Sequence, residues 1–276
     1  MSYQLTRTKI EWCHVPGYQA RSWNPLGQGC TNRSCIDAKG TNYCYARTLA
    51  RRFGDTVCQQ YPTPEQAEQH GLDAAHSLCW NFFPHLHPER LEAPLRAKNP
   101  CAIFLQSMGD IFDLNIPQDW RDQIWRVVEQ CPQHVFFVLT KQPQNIWGTL
   151  PDLESLWMGV TLDGTEQTEG NPSRLIANGT SWRVGGIFVS CEPLLAPWTS
   201  ANIEVGYVNW VIIGQDSRPG QPRPKVEWVQ GIIDQARSLD IPVFLKPPLV
   251  DWWVAEGHGE PLQQFPKLKP EVPDDK

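Results

Sequence analysis

The sequence predicts an α/β protein in which parallel strands alternate with helices, as in a β/α barrel of the TIM type that is closed fully or in part. Six short runs of apolar residues follow one another from residue 101 onward, most of them separated by helix-sized spacers. Continuous rather than alternating apolar runs are typical of parallel strands that are buried on both faces. A doubly wound sheet is the alternative, but the strand count favours the barrel.

The predicted strands and helices follow from these runs and spacers. The six strands cover residues 101–106, 135–139, 156–160, 186–189, 210–213 and 242–245, and a seventh is predicted at 8–12. In the spacer 118–130, Trp120, Ile124, Val127 and Val128 form one apolar stripe, which indicates a helix. Helices are also predicted at 46–53, 65–76, 89–98, 143–150, 171–178 and 226–238.

Polar residues directly follow the predicted strands. In a β/α barrel this position forms the catalytic face, and in a doubly wound sheet it also binds ligands. The residues concerned are Asp110, Lys141, Asp163, Glu192, Asp216 and Lys246.

Length and composition favour a single large domain. The chain has 276 residues, and we predict a domain over 1–262 followed by a mobile tail over 263–276. The net charge of −6 argues against the basic footprint of a duplex-DNA-binding protein. No run of eighteen apolar residues occurs, so no membrane partner is expected and a cytoplasmic protein is predicted.

The nine cysteines indicate metal binding or core packing rather than a disulfide framework, because no secretory signal is present. Cys79, Cys101 and Cys131 have ordinary neighbours and are predicted to be core thiols. His85 and His87 could be metal ligands, but a surface position is the preferred prediction for both.

The chain is organised around a cysteine loop at residues 23–47. Cys30, Cys35 and Cys44 lie within fifteen residues, after a Gly-rich turn and before the predicted helix 46–53. Thiolates suit zinc or iron–sulfur clusters. A closed structural site usually takes four protein ligands, so three thiolates would leave one corner of a four-iron cluster open to a substrate or cofactor.

The loop Asn24-Pro25-x-Gly27-x-Gly29-Cys30, followed by Cys35 and by Tyr43-Cys44-Tyr45-Ala46-Arg47, resembles the cluster loop of radical S-adenosylmethionine (SAM) enzymes. It is most similar to the spore photoproduct lyase-like branch. This resemblance implies a 4Fe-4S cluster on Cys30, Cys35 and Cys44, with SAM at the open iron and an electron donor protein as a partner. The four and eight residues between the cysteines depart from the usual, shorter spacing of those enzymes.

A second resemblance covers nearly the whole chain. It is to a phage-associated family of unknown function that carries a three-Cys motif. Its landmarks are Thr8-Lys9-Ile10-Glu11-Trp12, Trp23-Asn24-Pro25, Cys44-Tyr45-Ala46, Ser107-Met108-Gly109-Asp110-Ile111-Phe112, Leu139-Thr140-Lys141, Ser190-Cys191-Glu192-Pro193-Leu194-Leu195 and Ile213-Gly214-x-Asp216-Ser217.

The radical SAM resemblance implies roles for the strand ends. Ser107, Met108, Gly109 and Asp110 would meet the amino group of SAM, since a carboxylate there suits an ammonium. Thr161, Asp163 or Glu192 would take the ribose hydroxyls, and Asp216 is a further cofactor-binding candidate. The catalytic candidates are Lys141, Glu192 and Cys191. For Lys141, a structural role as an ion-pair partner of carboxylates such as Glu192 is the preferred prediction, and Cys191 could equally be a buried small residue.

The substrate is predicted to be a nucleic acid or a nucleotide. The phage association and the DNA-repair branch suggest this class, and the local support is the basic cluster of Arg47, Arg51 and Arg52.

Two other functions stay open. One is a zinc-binding three-Cys module with a structural or nucleic-acid-related role, in which His14 supplies the fourth ligand. The other is a metal-free barrel hydrolase that uses Asp110, Glu192 and Asp216 as acid and base.

Overall fold

The protein is an α/β fold built on one eight-stranded sheet, whose strands are ordered β1 to β8 as in the chain. The structure, a computed structural model, describes residues 3–32, 34–37, 39–146, 150–179, 183–198 and 207–269. The first pair of strands is antiparallel, and every later pair is parallel. The strands are β1 Thr6–Arg7, β2 Gln19–Trp23, β3 Cys101–Leu105, β4 Val135–Thr140, β5 Leu153–Thr161, β6 Val184–Cys191, β7 Val208–Ile213 and β8 Val243–Leu245.

Helices occupy most of the connections between parallel strands. They are α1 Tyr45–Val57, α2 Pro64–His70, α3 Pro88–Leu91, α4 Gln118–Glu129, α5 Asn171–Gly179, α6 Val226–Ser238 and α7 Leu249–Ala255. Short 3₁₀ helices form at Glu11–Cys13, Pro94–Arg96 and Pro143–Asn145. Among the described residues no helix is long and apolar enough to cross a membrane.

Both faces of the sheet are buried, as the continuous apolar runs predict. Ile103 and Leu105 of β3 belong to the cluster that includes the apolar sides of α4 and α6, whereas Ala102 and Phe104 belong to a second cluster on the opposite face. This division follows from the period of two along a strand.

Trp12 lies at the centre of the second cluster, and the sheet curls around it. Its ring centroid lies 4.9 Å from that of Phe104 on β3, 5.5 Å from Phe137 on β4, 5.7 Å from Phe188 on β6 and 6.0 Å from Trp210 on β7. In the described part of the chain, strand pairing runs from β1 to β8 without a ladder between β8 and β2. Closure into a barrel is therefore not shown.

The N-terminal strand prediction is wrong. Instead of a strand at 8–12, the chain forms the two-residue β1 and then the 3₁₀ helix Glu11–Cys13. The first parallel strand is β2, which the search for apolar runs missed because polar residues interrupt it. Gln19 is exposed and Arg21 half-buried, since β2 is covered only by the short β1 on one side.

The helix predictions fare better in the second half of the chain. The predicted helix 226–238 is confirmed, and 118–130 ends one residue early, at Glu129. The predicted helix 65–76 stops at His70, because Gly71 adopts a left-handed conformation with φ 62°. The stretch 89–98 is divided between α3 and the 3₁₀ helix Pro94–Arg96. Of the predicted helix 143–150, residues 147–149 lie outside the described residues.

The chain stays on the sheet beyond residue 262. The Leu245 amide donates to the Leu262 carbonyl at 2.7 Å, and the Trp210 indole N–H donates to the Gln264 carbonyl at 2.9 Å. The described part of the predicted tail is therefore packed along β8, and residues 270–276 lie outside the described residues.

Candidate functional site: a three-cysteine loop beside a buried Cys2His2 group

The cysteine loop begins at the end of β2 and is held against the segment that follows β3. The Gly29 amide donates to the Met108 carbonyl at 3.1 Å, and Gly29 and Gly109 form a parallel bridge. A Cβ on Gly109 would lie 2.1 Å from the Gly29 carbonyl oxygen, so only glycine permits this approach. The Asn24 side-chain oxygen adds a bond from the Met108 amide at 2.9 Å.

Of the three predicted metal ligands, Cys35 and Cys44 are in contact through their thiols, and Cys30 is close enough to interact electrostatically with both. Interaction between the Cys35 and Cys44 thiols raises the pKa of Cys35 and lowers the pKa of Cys44 to about 7. Burial, with Asp110 and Asp113 nearby, raises the pKa of Cys30 well above its usual value. Cys30 is buried and the other two are half-buried. Cys44 is the N-cap residue of α1, so the helix start fixes its position.

Arg218 links the cysteine loop to the residues that follow β7. Its Nη2 atom donates to Asp37 at 2.8 Å and to Asp216 at 2.6 Å. Asp216, a predicted cofactor-binding residue, thus orients the arginine. Charge-assisted pairs of this kind are short and directional.

Lys141, Tyr43 and Asp163 form a compact group beside the thiols. The Tyr43 hydroxyl donates to Asp163 Oδ2 at 2.5 Å, Lys141 Nζ donates to the same hydroxyl, and Lys141 lies 3.4 Å from that carboxylate. Burial acts to raise the pKa of Asp163, but Lys141 and three hydroxyl groups outweigh it and hold the pKa below its usual value. The fully buried carboxylate is therefore ionised at neutral pH.

The other predicted strand-end residues lie in separate pairs. Asp110 accepts from the Thr140 hydroxyl at 2.8 Å and from the Lys141 amide at 3.0 Å, and burial raises its pKa. Glu192 accepts from Lys246 at 2.5 Å. Cys191 is fully buried, and burial raises its pKa well above the usual value.

The remaining cofactor candidates lie along the same edge. The Ser107 hydroxyl donates to the Asn24 side chain at 3.2 Å, and its carbonyl accepts from the Tyr45 hydroxyl at 2.6 Å. Thr161 is buried, and its carbonyl accepts from the Asn171 side chain at 3.0 Å.

The residues predicted for the two alternative functions do not lie together in one site. Asp110, Glu192 and Asp216, the carboxylates of the hydrolase alternative, each have a separate partner. His14, the fourth ligand in the zinc alternative, is exposed, and its Nε2 atom lies 3.1 Å from the Thr8 carbonyl oxygen.

A second group, which the sequence did not reveal, lies directly beside the cysteine loop. Cys58, Cys79, His85 and His87 are all buried, and their four donor atoms lie within 4.8 Å of one another. The His85 Nε2 atom is 3.0 Å from the Cys58 sulfur and 3.7 Å from the Cys79 sulfur. Interactions with Cys79 and both histidines lower the pKa of Cys58 against the effect of burial. This group could bind a metal ion.

The predicted surface position of the two histidines is wrong. His85 is 4% and His87 is 3% exposed. Cys79 is buried, as a core thiol would be, but it faces Cys58 and His85. The available signal was the spacing His85-Leu86-His87, since residues two apart point to the same side of an extended chain. The partners Cys58 and Cys79 are too distant in sequence to be recognised by spacing.

Comparisons with known proteins identify the family. The chain matches no curated protein and no solved structure. The model of one family, described as "Protein of unknown function (DUF5131)", matches residues 7–256. This match spans most of the chain, from the last residue of β1 to the residue after α7. The chain therefore belongs to the DUF5131 family.

Proposed function

We propose that this protein is an iron–sulfur enzyme of the radical SAM type. The single observation that supports the proposal is the position of the three-cysteine loop beside the carboxyl ends of the parallel strands, where Tyr43 and Tyr45, on either side of Cys44, bond to Asp163 and to the Ser107 carbonyl. This edge is the usual place for a ligand site in an α/β fold.

The thiols fit a 4Fe-4S cluster in number and in chemistry. Three thiolates leave one iron without a protein ligand, and soft sulfur donors are the ligands that such clusters take. A cluster held by Cys30, Cys35 and Cys44 would supply the one-electron reduction by which SAM is cleaved for hydrogen-atom abstraction from a substrate. The electron would come from a separate donor protein.

The chain itself would fix the cysteine loop and exclude water. Asn24 ties the loop to Ser107 and Met108, the segment proposed to meet SAM, and Arg218 ties its far side to β7. The Asp110 carboxylate already accepts from the Phe112 and Lys141 amides and the Thr140 hydroxyl, so it would act on SAM mainly by fixing this segment. Lys141, paired with Asp163 and next to Tyr43, would hold a proton on its ammonium group beside the proposed cluster site.

The proposed substrate is a nucleic acid or a nucleotide. Of the basic cluster, Arg51 and Arg52 are exposed and available to phosphates, whereas Arg47 donates to the Cys30 carbonyl at 3.3 Å. Arg47 would therefore support the loop rather than bind the substrate.

Metal and sulfide analysis of protein purified without oxygen tests the proposal. We expect about four irons and four sulfides per chain and a broad visible absorbance. Both should be lost in Cys30→Ala, Cys35→Ala and Cys44→Ala. Cys131→Ala is the matched control, because this buried thiol lies in the main core cluster and should leave iron unchanged.

Reduction of the iron-loaded protein in the presence of SAM tests the reaction. Deoxyadenosine and methionine should form with the wild type and not with Cys44→Ala. Zinc on the three cysteines, or the absence of iron after reconstitution with iron and sulfide, would contradict the proposal.

A further inference from the structure

We propose that Cys58, Cys79, His85 and His87 bind one zinc ion in a closed tetrahedral site that supports the cysteine loop. This site is separate from the three cysteines of the proposed function and does not depend on it. Four protein ligands and no open position are the features of a structural zinc site.

The separations of the donor atoms fit a single ion. With Zn–S near 2.3 Å and Zn–N near 2.0 Å, tetrahedral geometry puts a sulfur and a nitrogen about 3.5 Å apart. The distances from His85 Nε2 to the Cys58 and Cys79 sulfurs, 3.0 and 3.7 Å, bracket this value. A two-iron cluster with the same ligand types would separate its cysteine pair from its histidine pair, because each pair binds a different iron.

One of the four donor atoms, on His87, forms no hydrogen bond. His87 Nε2 is buried and has no hydrogen-bond partner in the described structure. Its side chain is 4% exposed, and its Nδ1 atom lies 2.9 Å from a Glu89 carboxylate oxygen. An unpaired ring nitrogen in a buried site is unfavourable unless a ligand is bound. A metal ion that accepts this lone pair removes the cost.

The partners of the other ring nitrogen of each histidine also fit a metal site. His85 Nδ1 lies 2.9 Å from the Phe83 carbonyl oxygen, as His87 Nδ1 lies close to Glu89. A carbonyl or carboxylate on the far nitrogen fixes the ring and leaves Nε2 free to bind the metal. Both histidines would then bind through the same ring atom.

The site is joined to the cysteine loop by the backbone. The His85 amide donates to the Leu26 carbonyl at 3.3 Å, and the His87 amide donates to the Pro25 carbonyl at 2.8 Å. A Cβ on Gly27 would lie 2.8 Å from His85 Cε1. The Cys30 amide donates to the Phe82 carbonyl at 3.1 Å. Zinc that fixes residues 79–87 would therefore also fix the part of the cysteine loop that carries Cys30.

Zinc analysis of the full-length protein tests the site. We expect about one zinc per chain in the wild type and in Cys44→Ala, and at least a tenfold loss in Cys79→Ser and His87→Gln. Cys131→Ser is the control for the loss of a buried thiol. Because a ligand variant could fail to fold, X-ray absorption at the zinc edge of the wild type is the second measurement. It should give two sulfurs at about 2.3 Å and two nitrogens at about 2.0 Å.

Hydrogen exchange tests the support of the loop. Chelation of zinc from the wild type should make the amides of 85–87 and of Gly29 and Cys30 exchange about tenfold faster, while those of α6 stay unchanged. Wild type that keeps no zinc after zinc exposure and gel filtration, zinc that is lost only in the Cys30, Cys35 and Cys44 variants, or an oxygen-rich coordination shell would overturn the inference. Iron without zinc would leave the proposed function intact, and zinc without iron would leave only this site.

Discussion

Gly27 separates the cysteine loop from the two histidine rings. Its φ of +65° lies in the left-handed region, and a Cβ there would come 2.8 Å from His85 Cε1 and 2.9 Å from His87 Nε2. Two requirements therefore meet at one residue: an unusual backbone conformation and a close approach to donor atoms. Gly71 has the first without the second, because its φ is +62° and no atom lies within 4 Å of its added Cβ.

This comparison gives a prediction for Gly27→Ala. The left-handed conformation should cost alanine about 1–2 kcal/mol at either position. The crowding at Gly27 should cost at least about 1 kcal/mol more and lower the occupancy of the proposed zinc site. Urea unfolding of Gly27→Ala and Gly71→Ala measures the difference. Equal losses of unfolding free energy would show that the histidine rings move aside without cost.

Asp163 is the buried charge on which the Lys141 group depends. Its pKa is lower in the folded protein than in the unfolded chain. The stabilisation that it contributes is therefore fully present above the unfolded pKa of about 4 and is lost as the pH falls through the folded value.

Asp163→Asn should consequently destabilise the protein by about 3–5 kcal/mol at pH 7, because Lys141 loses its buried partner. The difference from the wild type should shrink as the pH falls below about 4. Urea unfolding at several pH values measures it. Asp152→Asn is the control, since Asp152 is exposed and lies 3.9 Å from its arginine partner. A difference that stays constant down to pH 3 would contradict the assigned ionisation of Asp163.

At the scale of the element, α1 depends on its small residues. Ala46, Ala50 and Gly54 are spaced by four and form the buried side of the helix, which faces the chain that leads to the histidines. A Cβ on Gly54 would lie 2.3 Å from the Trp80 amide nitrogen. In α6, by contrast, Gly231 is exposed and has no atom within 4 Å of an added Cβ.

The same substitution should therefore have opposite effects in the two helices. Gly231→Ala should stabilise the protein by about 0.5–1 kcal/mol, because alanine has the higher helix propensity. Gly54→Ala should destabilise it and displace Cys79, the neighbour of Trp80. Thermal unfolding gives both signs, and a stabilising Gly54→Ala would be inconsistent with the packing of α1 described above.

The elements also show which parts of the fold could be predicted. Strands β3 to β8 were recognisable because burial on both faces demands an unbroken apolar run, and α6 because its stripe is complete. Strand β2 was missed because its neighbour β1 has only two residues and leaves polar side chains beside solvent. The three cysteines of the loop could be found from their local spacing. Cys58 and Cys79 join two histidines only through the folding of α1 and the chain after it, which spacing does not encode.

At the scale of the whole molecule, Trp12 fills the space enclosed by the curled sheet. Its ring contacts aromatic rings from four strands, and its neighbour Glu11 lies 3.6 Å from Lys246 at the end of β8. The aromatic face of the sheet and the last strand thus both depend on the N-terminal segment.

Trp12→Ala should cost about 3–5 kcal/mol of unfolding free energy, because the surrounding rings belong to different strands and cannot close the cavity together. Leu114→Ala is the control, since Leu114 is 61% exposed and should change the free energy by less than about 0.5 kcal/mol. Denaturant unfolding measures both. A loss below about 1 kcal/mol for Trp12→Ala would show that the sheet does not rely on this residue.

The position of Trp12 also has a consequence for synthesis of the chain. Trp12 leaves the ribosome early, but Phe188, Trp210 and Lys246, with which its segment packs, are made long afterwards. At a translation rate of roughly 5–20 residues per second, the last residues that contact this segment are synthesised on the order of tens of seconds after Trp12. During this time the indole ring of Trp12, which is buried in the folded protein, stays exposed. Burial of the Trp12 ring, and with it the final packing of the aromatic face of the sheet, should therefore follow translation of β8.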